Sequence, residues 1–423
     1  MIFYQKGSDT SVLTEQDLKE ALSATLDKLG KVKKVLALPP DYTRYHSFAG
    51  LLTRIADHYL GERLTDIMPA IGTHTPMTEK ELNSMFTGID TAKFRVHNWR
   101  RDVLTLGEVP GEFINEISEG RVKYDWPAQV NKLLVKGGFD LILSVGQVVP
   151  HEVVGMANYN KNIFVGTGGS EGINKSHFLG AAWGMERMMG RADTPVRKVL
   201  NYASEHFART LPILYVLTVV ALNSKGQPEI RGLFIGDDED CFLKACELSL
   251  KVNFTLLEKS LNKVVVFLDP NEYRSTWLGN KSIYRTRMAI ATGGELIVIA
   301  PGIKEFGEDK EIDRLIRKYG YPGTSKTLKL IQDNEDLKSN LSAAAHLIHG
   351  STEGRFSVTY CPGYLTRKEM ESVNFKFGDI RMMKNKYNPE KLRNGINVLP
   401  DGEEIFFISN PALGLWATRD KFQ

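Results

Sequence analysis

Short apolar runs alternate with stretches of helical periodicity along the first half of the chain. Lys34 to Leu38 is a brief apolar run that stops at Pro39-Pro40, as a buried strand entering a loop would. From Ser47 to Leu60 the apolar positions Phe48, Leu51, Leu52, Ile55 and Leu60 recur near helical spacing, with Ser47 available as the N-cap. Leu64 to Ile71 reads as a strand again. Thr78 followed by Glu81 is a capping-box start for a helix to about Phe86. Phe139 to Val145 and Asn162 to Gly166 predict two further buried strands, and Leu211 to Leu222 a long one. This rhythm predicts α/β layers around mainly parallel strands, whose sites form in the loops at the strand carboxyl ends.

The pattern restarts near Lys263. Val264 to Leu268 and Gly294 to Ala300 read as strands, Ile283 to Ala291 as a helix, and helices follow around 311–319, 325–332 and 335–349. Strand-like segments flank Pro400-Asp401-Gly402 in the tail. The organisation expected is an N-terminal α/β domain over 1–260 and a C-terminal α/β domain over 261–378. A final segment, 379–423, is expected to return to the N-terminal domain. The fold class is two α/β domains with mainly parallel sheets, and the active site is expected in the cleft between them.

Composition narrows the function classes. The 423 residues are 42% hydrophobic and 25% charged, which suits globular domains and not disorder or coiled coil. Lys+Arg at 54 against Asp+Glu at 51 gives no general attraction for nucleic acid or anionic lipid. The Leu211–Leu222 run falls well short of the roughly 20 residues that span a bilayer, so no membrane partner is expected. Three cysteines, Cys241, Cys246 and Cys361, are too few for a disulfide framework. The first residues lack a basic then apolar leader pattern. A cytoplasmic protein is expected.

Four stretches carry candidate chemistry. Asp41-Tyr42-Thr43-Arg44 follows a strand, where Arg44 suits bidentate capture of a carboxylate and Asp41 suits orienting a neighbour; a turn with a local ion pair reads equally well. Gly72-Thr73-His74 lies between a strand and a helix start, where His74 could act as acid or base or simply bond the helix end. His151 to His177 includes Lys161 and the cluster Gly166-Thr167-Gly168-Gly169, whose amides could cradle a phosphate. The cluster is neither a Walker pattern nor a dinucleotide fingerprint, and Lys161 alone reads as a solvated lysine. Trp277 to Lys281 reads most simply as a helix-cap turn, His97 as structural, and Arg285 and Arg287 as solvated or paired.

Taken in order, these stretches resemble the lactate racemase family, enzymes that use a nickel-pincer nucleotide. Asp-x-Thr-Arg appears as Asp41-Tyr42-Thr43-Arg44 and Gly-x-His as Gly72-Thr73-His74. His151, Lys161 and His177 reproduce the family gaps of ten and sixteen residues, and Lys281 lies twelve before Gly293. The resemblance implies covalent attachment through Lys161 of the nickel complex of pyridinium-3-thioamide-5-thiocarboxylic acid mononucleotide, with His177 as the metal ligand. It implies His74 and His151 as the acid–base pair, and Arg44, Asp41 and Lys281 as substrate contacts. Thr43, Gly168 and Gly169 would contact the cofactor. Proteins that synthesise and insert the cofactor would be needed for maturation.

The implied reaction inverts C2 of a 2-hydroxy carboxylate by hydride transfer coupled to proton transfer, one histidine serving each enantiomer. Two departures point away from lactate itself. Tyr45 replaces the family's proline, and 341–350 lacks the tryptophan of lactate enzymes while offering a polar His346 to substrate. A longer, more polar substrate such as a sugar acid is expected. The alternatives are a zinc-dependent lyase or hydrolase using His151 and His177, or a non-catalytic nucleotide-binding protein.

Overall fold

The computed structural model of the protein describes residues 1–223 and 226–422. The chain separates into two compact units, one of Met1–Leu179 and Gly190–Asn253, the other of Gly180–Met189 and Phe254–Gln423.

The first unit is built on a six-stranded sheet. Its strands are β1 (Ile2–Gly7), β2 (Val35–Leu38), β3 (Leu64–Ile67), β6 (Leu141–Gln147), β9 (Ile213–Leu222) and β10 (Pro228–Gly236), in the order β1-β10-β9-β6-β2-β3. The four from β9 to β3 are parallel, and β10 and β1 add an antiparallel edge. Between β3 and β6 lies an antiparallel ribbon of β4 (Val103–Val109) and β5 (Trp126–Asn131). After β6 comes a two-residue pairing of β7 (Pro150–His151) with β8 (Gly155–Met156). Every residue of β2 is fully buried, so it reads as a continuous apolar run and not as an alternation. Helices Glu15–Leu29 and Ala49–Leu60 bury Leu18, Leu22, Leu52 and Ile55 in the same core cluster as Val35, Leu143 and Val216. Each such side chain contributes about 1.5–3 kcal/mol on leaving water.

The second unit repeats the layering. Its sheet order is β15 (Lys376–Phe377), β14 (Ser357–Pro362), β13 (Ile290–Ala300), β12 (Leu261–Phe267), β17 (Glu404–Ile408) and β16 (Gly395–Val398). All pairs are parallel but the last. A smaller parallel pair joins β11 (Phe254–Leu257) to β18 (Leu415–Thr418). The architecture is α/β with mainly parallel sheets, as the alternation predicts.

Several expectations change. Segment 379–423 does not return to the first unit: β17 pairs with β12, because its apolar Ile405, Phe406, Phe407 and Ile408 are all buried within the second unit. Asn162–Gly166 is not a strand. Residues Asn160–Phe164 form a short helix, since a five-residue apolar run does not distinguish the two states. Phe48, at φ 59°, and not Ser47 takes the N-cap position of Ala49–Leu60, though the Ser47 hydroxyl accepts the Ala49 amide at 3.2 Å. The helix read at Ile283–Ala291 covers only Lys281–Tyr284 before the chain enters β13. No described helix is long and apolar enough to cross a membrane.

Candidate active site

Three parallel strands deliver the first group of side chains. Asp41 follows β2, His74 follows β3 and His151 follows β6, all past the carboxyl ends, where open α/β sheets place their sites. Asp41 is 6% exposed, and its carboxylate takes the Thr43 amide at 3.1 Å, the Thr43 hydroxyl, and His74 Nδ1 at 2.6 Å. Burial alone would raise the Asp41 carboxyl. The His74 and Thr43 hydrogen bonds and the charges of His74 and Arg44 outweigh it and hold the group below the usual carboxylate range. An ionised carboxylate only accepts, so Nδ1 carries a proton in either state of His74, and in the neutral ring Nε2 is bare. Its side chain remains more than half exposed.

The turn that presents His74 needs Gly72, whose φ of +57° is left-handed. The Gly72 amide donates to the Gly166 carbonyl at 2.8 Å, tying this turn to the end of the Lys161 helix. That helix is itself set by a strained entry. Asn158 and Tyr159 both have positive φ, 68° and 59°, and the Asn158 side chain accepts the Tyr159 amide at 2.8 Å. Asn162 on the helix donates to the Leu38 carbonyl and the Ser144 hydroxyl, both at 3.0 Å, and so docks it across β2 and β6.

Lys161 is thereby held in a dry, charged neighbourhood. Burial first, and then the Arg44 guanidinium, lower its ammonium to about 8, against the opposing pull of Glu152 and Asp41. His177, on helix Ser170–Trp183, donates Nδ1–H to the Ile173 carbonyl at 2.7 Å, which leaves Nε2 unprotonated. Burial, and secondarily the Lys161 charge, lower it to about 4. His151 has the opposite polarity to His74. Its Nδ1 accepts the Val153 amide at 3.1 Å; a main-chain N–H only donates, so the neutral ring carries its proton on Nε2. The Glu152 carboxylate lies 3.8 Å from the same Nδ1.

Asp41, Thr43, Arg44, His74, Lys161 and His177 thus gather in the first unit, linked by hydrogen bonds or mutual charge. The glycines have another explanation besides phosphate. A Cβ on Gly168 would overlap the main-chain carbonyl of Phe164, so packing alone requires that glycine, whereas one on Gly169 would meet only the end of the Gln129 side chain, which can swing away. His97 is structural, as read: it is buried between the Gly168 carbonyl at 3.0 Å and Asn131 at 2.9 Å.

The second unit holds Lys281 and His346. Lys281 opens its short helix with Nζ 5.8 Å from the Tyr273 ring centroid. His346 is 3% exposed, bonded to the Tyr321 hydroxyl at 3.1 Å and stacked on Trp277 at 4.3 Å. Burial pulls it well below its ordinary pKa. It is a packed neutral ring where the sequence predicts a polar contact to substrate, and Trp277 supplies an indole beside it that 341–350 lacks. Arg285 and Arg287 are not solvated, at 1% and 3% exposed; Arg287 pairs with Glu186 at 3.3 Å. Two residues that sequence reasoning passed over belong to the first-unit site. Glu152 acts on Lys161 and His177, and buried Arg197 acts on Lys161. The adjacency of Glu152 to His151 is the one signal that points to it.

Among the described residues no group of three or more His, Cys, Asp or Glu is placed to hold a metal. Zinc sites ordinarily use three or four protein donors, and among the described residues no such set includes His151 and His177.

Residues 8–188 match the lactate racemase N-terminal domain family. No curated protein matches the chain by sequence. A crystal structure of a Thermotoga maritima protein is 26% identical, with a TM-score of 0.82 over 98% of this chain and 100% of that one. The lactate racemase apoprotein from Thermoanaerobacterium thermosaccharolyticum shares the fold, at 17% identity and a TM-score of 0.70, over 96% of this chain and 93% of that one. The N-terminal part of the chain, residues 8–188, is thus similar to the N-terminal domain of lactate racemases.

Proposed function

We propose that the protein is a racemase or epimerase that inverts C2 of a 2-hydroxy carboxylate with a nickel-pincer nucleotide held by Lys161 and His177. The observation that carries this reading is a desolvated Lys161 in one charged cluster with Asp41, Arg44 and Glu152, together with two histidines of opposite polarity, His74 bare at Nε2 in its neutral ring and His151, next to Glu152, protonated there. Racemisation through a planar 2-keto acid needs one group to take the hydroxyl proton and another to return it on the other side. The two rings start in those two states.

The residues present fit the cofactor. A lysine lowered to about 8 is partly neutral near physiological pH, the form that joins covalently to an electrophilic carbon. His177 offers an unprotonated Nε2 while its Nδ1–H is fixed on a carbonyl, the hydrogen bond that sets the tautomer and orientation of metal-bound imidazoles. When bound, the group supplies nickel and a pyridinium ring able to accept hydride. The chain does the rest. Arg44 holds the substrate carboxylate, His74 Nε2 takes the hydroxyl proton, and Asp41 stabilises the imidazolium that forms. His151 Nε2–H then donates to the carbonyl oxygen, and the two exchange roles for the other enantiomer.

The preference for a polar substrate now rests on Tyr45. It is 45% exposed next to Arg44, with its ring 5.3 Å from Tyr42. Its hydroxyl is a hydrogen-bond partner that a proline lacks.

The test is protein made in cells that also express the cofactor-synthesis proteins. Mass spectrometry of the Lys161 peptide, nickel analysis, and chiral chromatography with lactate and gluconate-like acids are read together. An adduct on Lys161, nickel lost in His177→Ala, and inversion of C2 are expected. An unmodified Lys161 refutes the cofactor; a loaded protein that inverts no 2-hydroxy acid refutes the reaction.

A further inference from the structure

The first unit has a large cavity away from this site. It is an open groove of about 1090 Å³ at the opposite, amino ends of β6 and β9, lined by residues such as Leu141, Ile213 and Leu214. Its size is at the upper end of that of small-molecule sites. Two phenols make its polar interior. Tyr215 is 4% exposed and Tyr159 8%, both line the groove, and neither hydroxyl has a hydrogen-bond partner among the described residues. Buried phenols are ordinarily paired; these two open onto the groove and are free to hydrogen-bond to a molecule bound in it.

The sign of that partner follows from the rim. Among the described residues five carboxylates line the groove, Asp140, Glu205, Asp237, Asp238 and Glu239, against a single guanidinium, Arg209. His206 also lines it, but its Nδ1 is engaged with the Tyr202 carbonyl at 3.0 Å. Some of the acids are already occupied. Asp140 accepts the Lys33 and Lys34 amides, Asp237 and Asp238 pair with the Met1 amine, and Glu239 accepts from Asn201 at 2.6 Å. Glu205 has no partner among the described residues. Glu205, Glu239 and Asp238 all lie close enough to Tyr159 to act on its hydroxyl.

We propose that this groove binds a small organic amine: an ammonium carried on an alkyl chain, its N–H groups given to Glu205 and the Tyr159 and Tyr215 hydroxyls, its chain laid along the apolar floor. Acidic and phenolic acceptors suit an ammonium and repel a carboxylate. The groove is separate from the site of the proposed reaction, so the two stand or fall independently. They meet at helix Asn160–Phe164, which carries Lys161 and lends Ile163 and Phe164 to the groove, and at buried Arg197, whose charge acts on Lys161 and on both phenols.

The experiment is calorimetric titration of the full chain with 1,6-diaminohexane and with adipate, which has the same span and the opposite charge. Saturable one-to-one binding of the diamine is expected, with at least tenfold weaker binding of adipate. Glu205→Gln, on an exposed helix position, and Tyr215→Phe, which keeps the ring, are each expected to weaken the diamine about fivefold to tenfold, with unchanged thermal unfolding for Glu205→Gln. Absence of saturable binding, equal binding of adipate, or wild-type affinity in both variants would overturn the proposal.

Discussion

Replacing Lys161 by methionine removes the charge that the fold holds out of water and keeps most of the volume. A fall from the ordinary 10.5 to about 8 corresponds, at about 1.4 kcal/mol per pH unit, to roughly 3 kcal/mol against the charged form. Solvent still reaches part of the residue, which brings the expectation to about 2–3 kcal/mol. The sign follows from proton counts. Below about pH 8 folded and unfolded chains both hold the proton, and the whole penalty is present. Between about 8 and 10.5 the unfolded chain holds a proton that the folded one has released, so stability rises with pH. Above that window both forms are neutral and the penalty is gone. Lys161→Met, free of cofactor, is therefore more stable than the wild type by about 2–3 kcal/mol at pH 7, and the difference closes by pH 10.5. Urea denaturation of both proteins at pH 7, 8.5 and 10.5 reads this directly. Parallel profiles for the two would mean that the ammonium is solvated, and the reasoning about a dry tether would fail.

Other perturbations test the remaining parts of the site. Asp41→Asn puts an amide donor against His74 Nδ1 and drives the ring proton to Nε2; losing a charged hydrogen bond of about 1.5–3 kcal/mol predicts a rate about 10–100-fold lower. Long-range proton–nitrogen NMR of the ring should show the tautomer change, and an unchanged ring would contradict the assignment. In the wild type the same spectra should place the neutral proton on Nδ1 for His74 and His177 and on Nε2 for His151. Gly168→Ala forces a methyl onto the Phe164 carbonyl and should destabilise the first unit by about 3 kcal/mol, measured by thermal unfolding; a smaller loss would mean that the Lys161 helix yields easily.

Local patterns in the chain carry much of this fold. Strands such as Val35–Leu38 and Ile213–Leu222 are continuous apolar runs bounded by turn residues, and the Thr78 capping box forms as read. The site's donors are legible too, since Asp41, His74 and His151 each follow a strand. What a local pattern cannot carry is tertiary. Ile163-Phe164-Val165 looks like a strand until Asn162 is seen to dock on Leu38 and Ser144. His346 looks polar until Trp277, nearly seventy residues earlier, is found stacked on it. The destination of β17 depends on which of two sheets it extends, and a local apolar pattern is the same in either.

The ionisable groups of the first unit explain why Lys161 sits on a helix and not a strand. A strand at 162–166 would continue the sheet and point alternate residues to opposite faces. The short helix instead projects Lys161 toward charges that follow β2 and β6, while Ile163 and Phe164 pack beneath it. Its entry requires two left-handed residues, Asn158 and Tyr159, each of which costs on the order of 1–3 kcal/mol. Such backbone persists when neighbours fix it on both sides. Here Arg197, fully buried, donates to the Met156 and Asn158 carbonyls at 2.7 and 3.3 Å and to the Asn160 side chain. The same guanidinium lowers the Lys161 ammonium further. Arg197 thus holds the turn in place and keeps the amine easier to deprotonate, so that the strain at Asn158 and Tyr159 and the lowered pKa of Lys161 have one physical support.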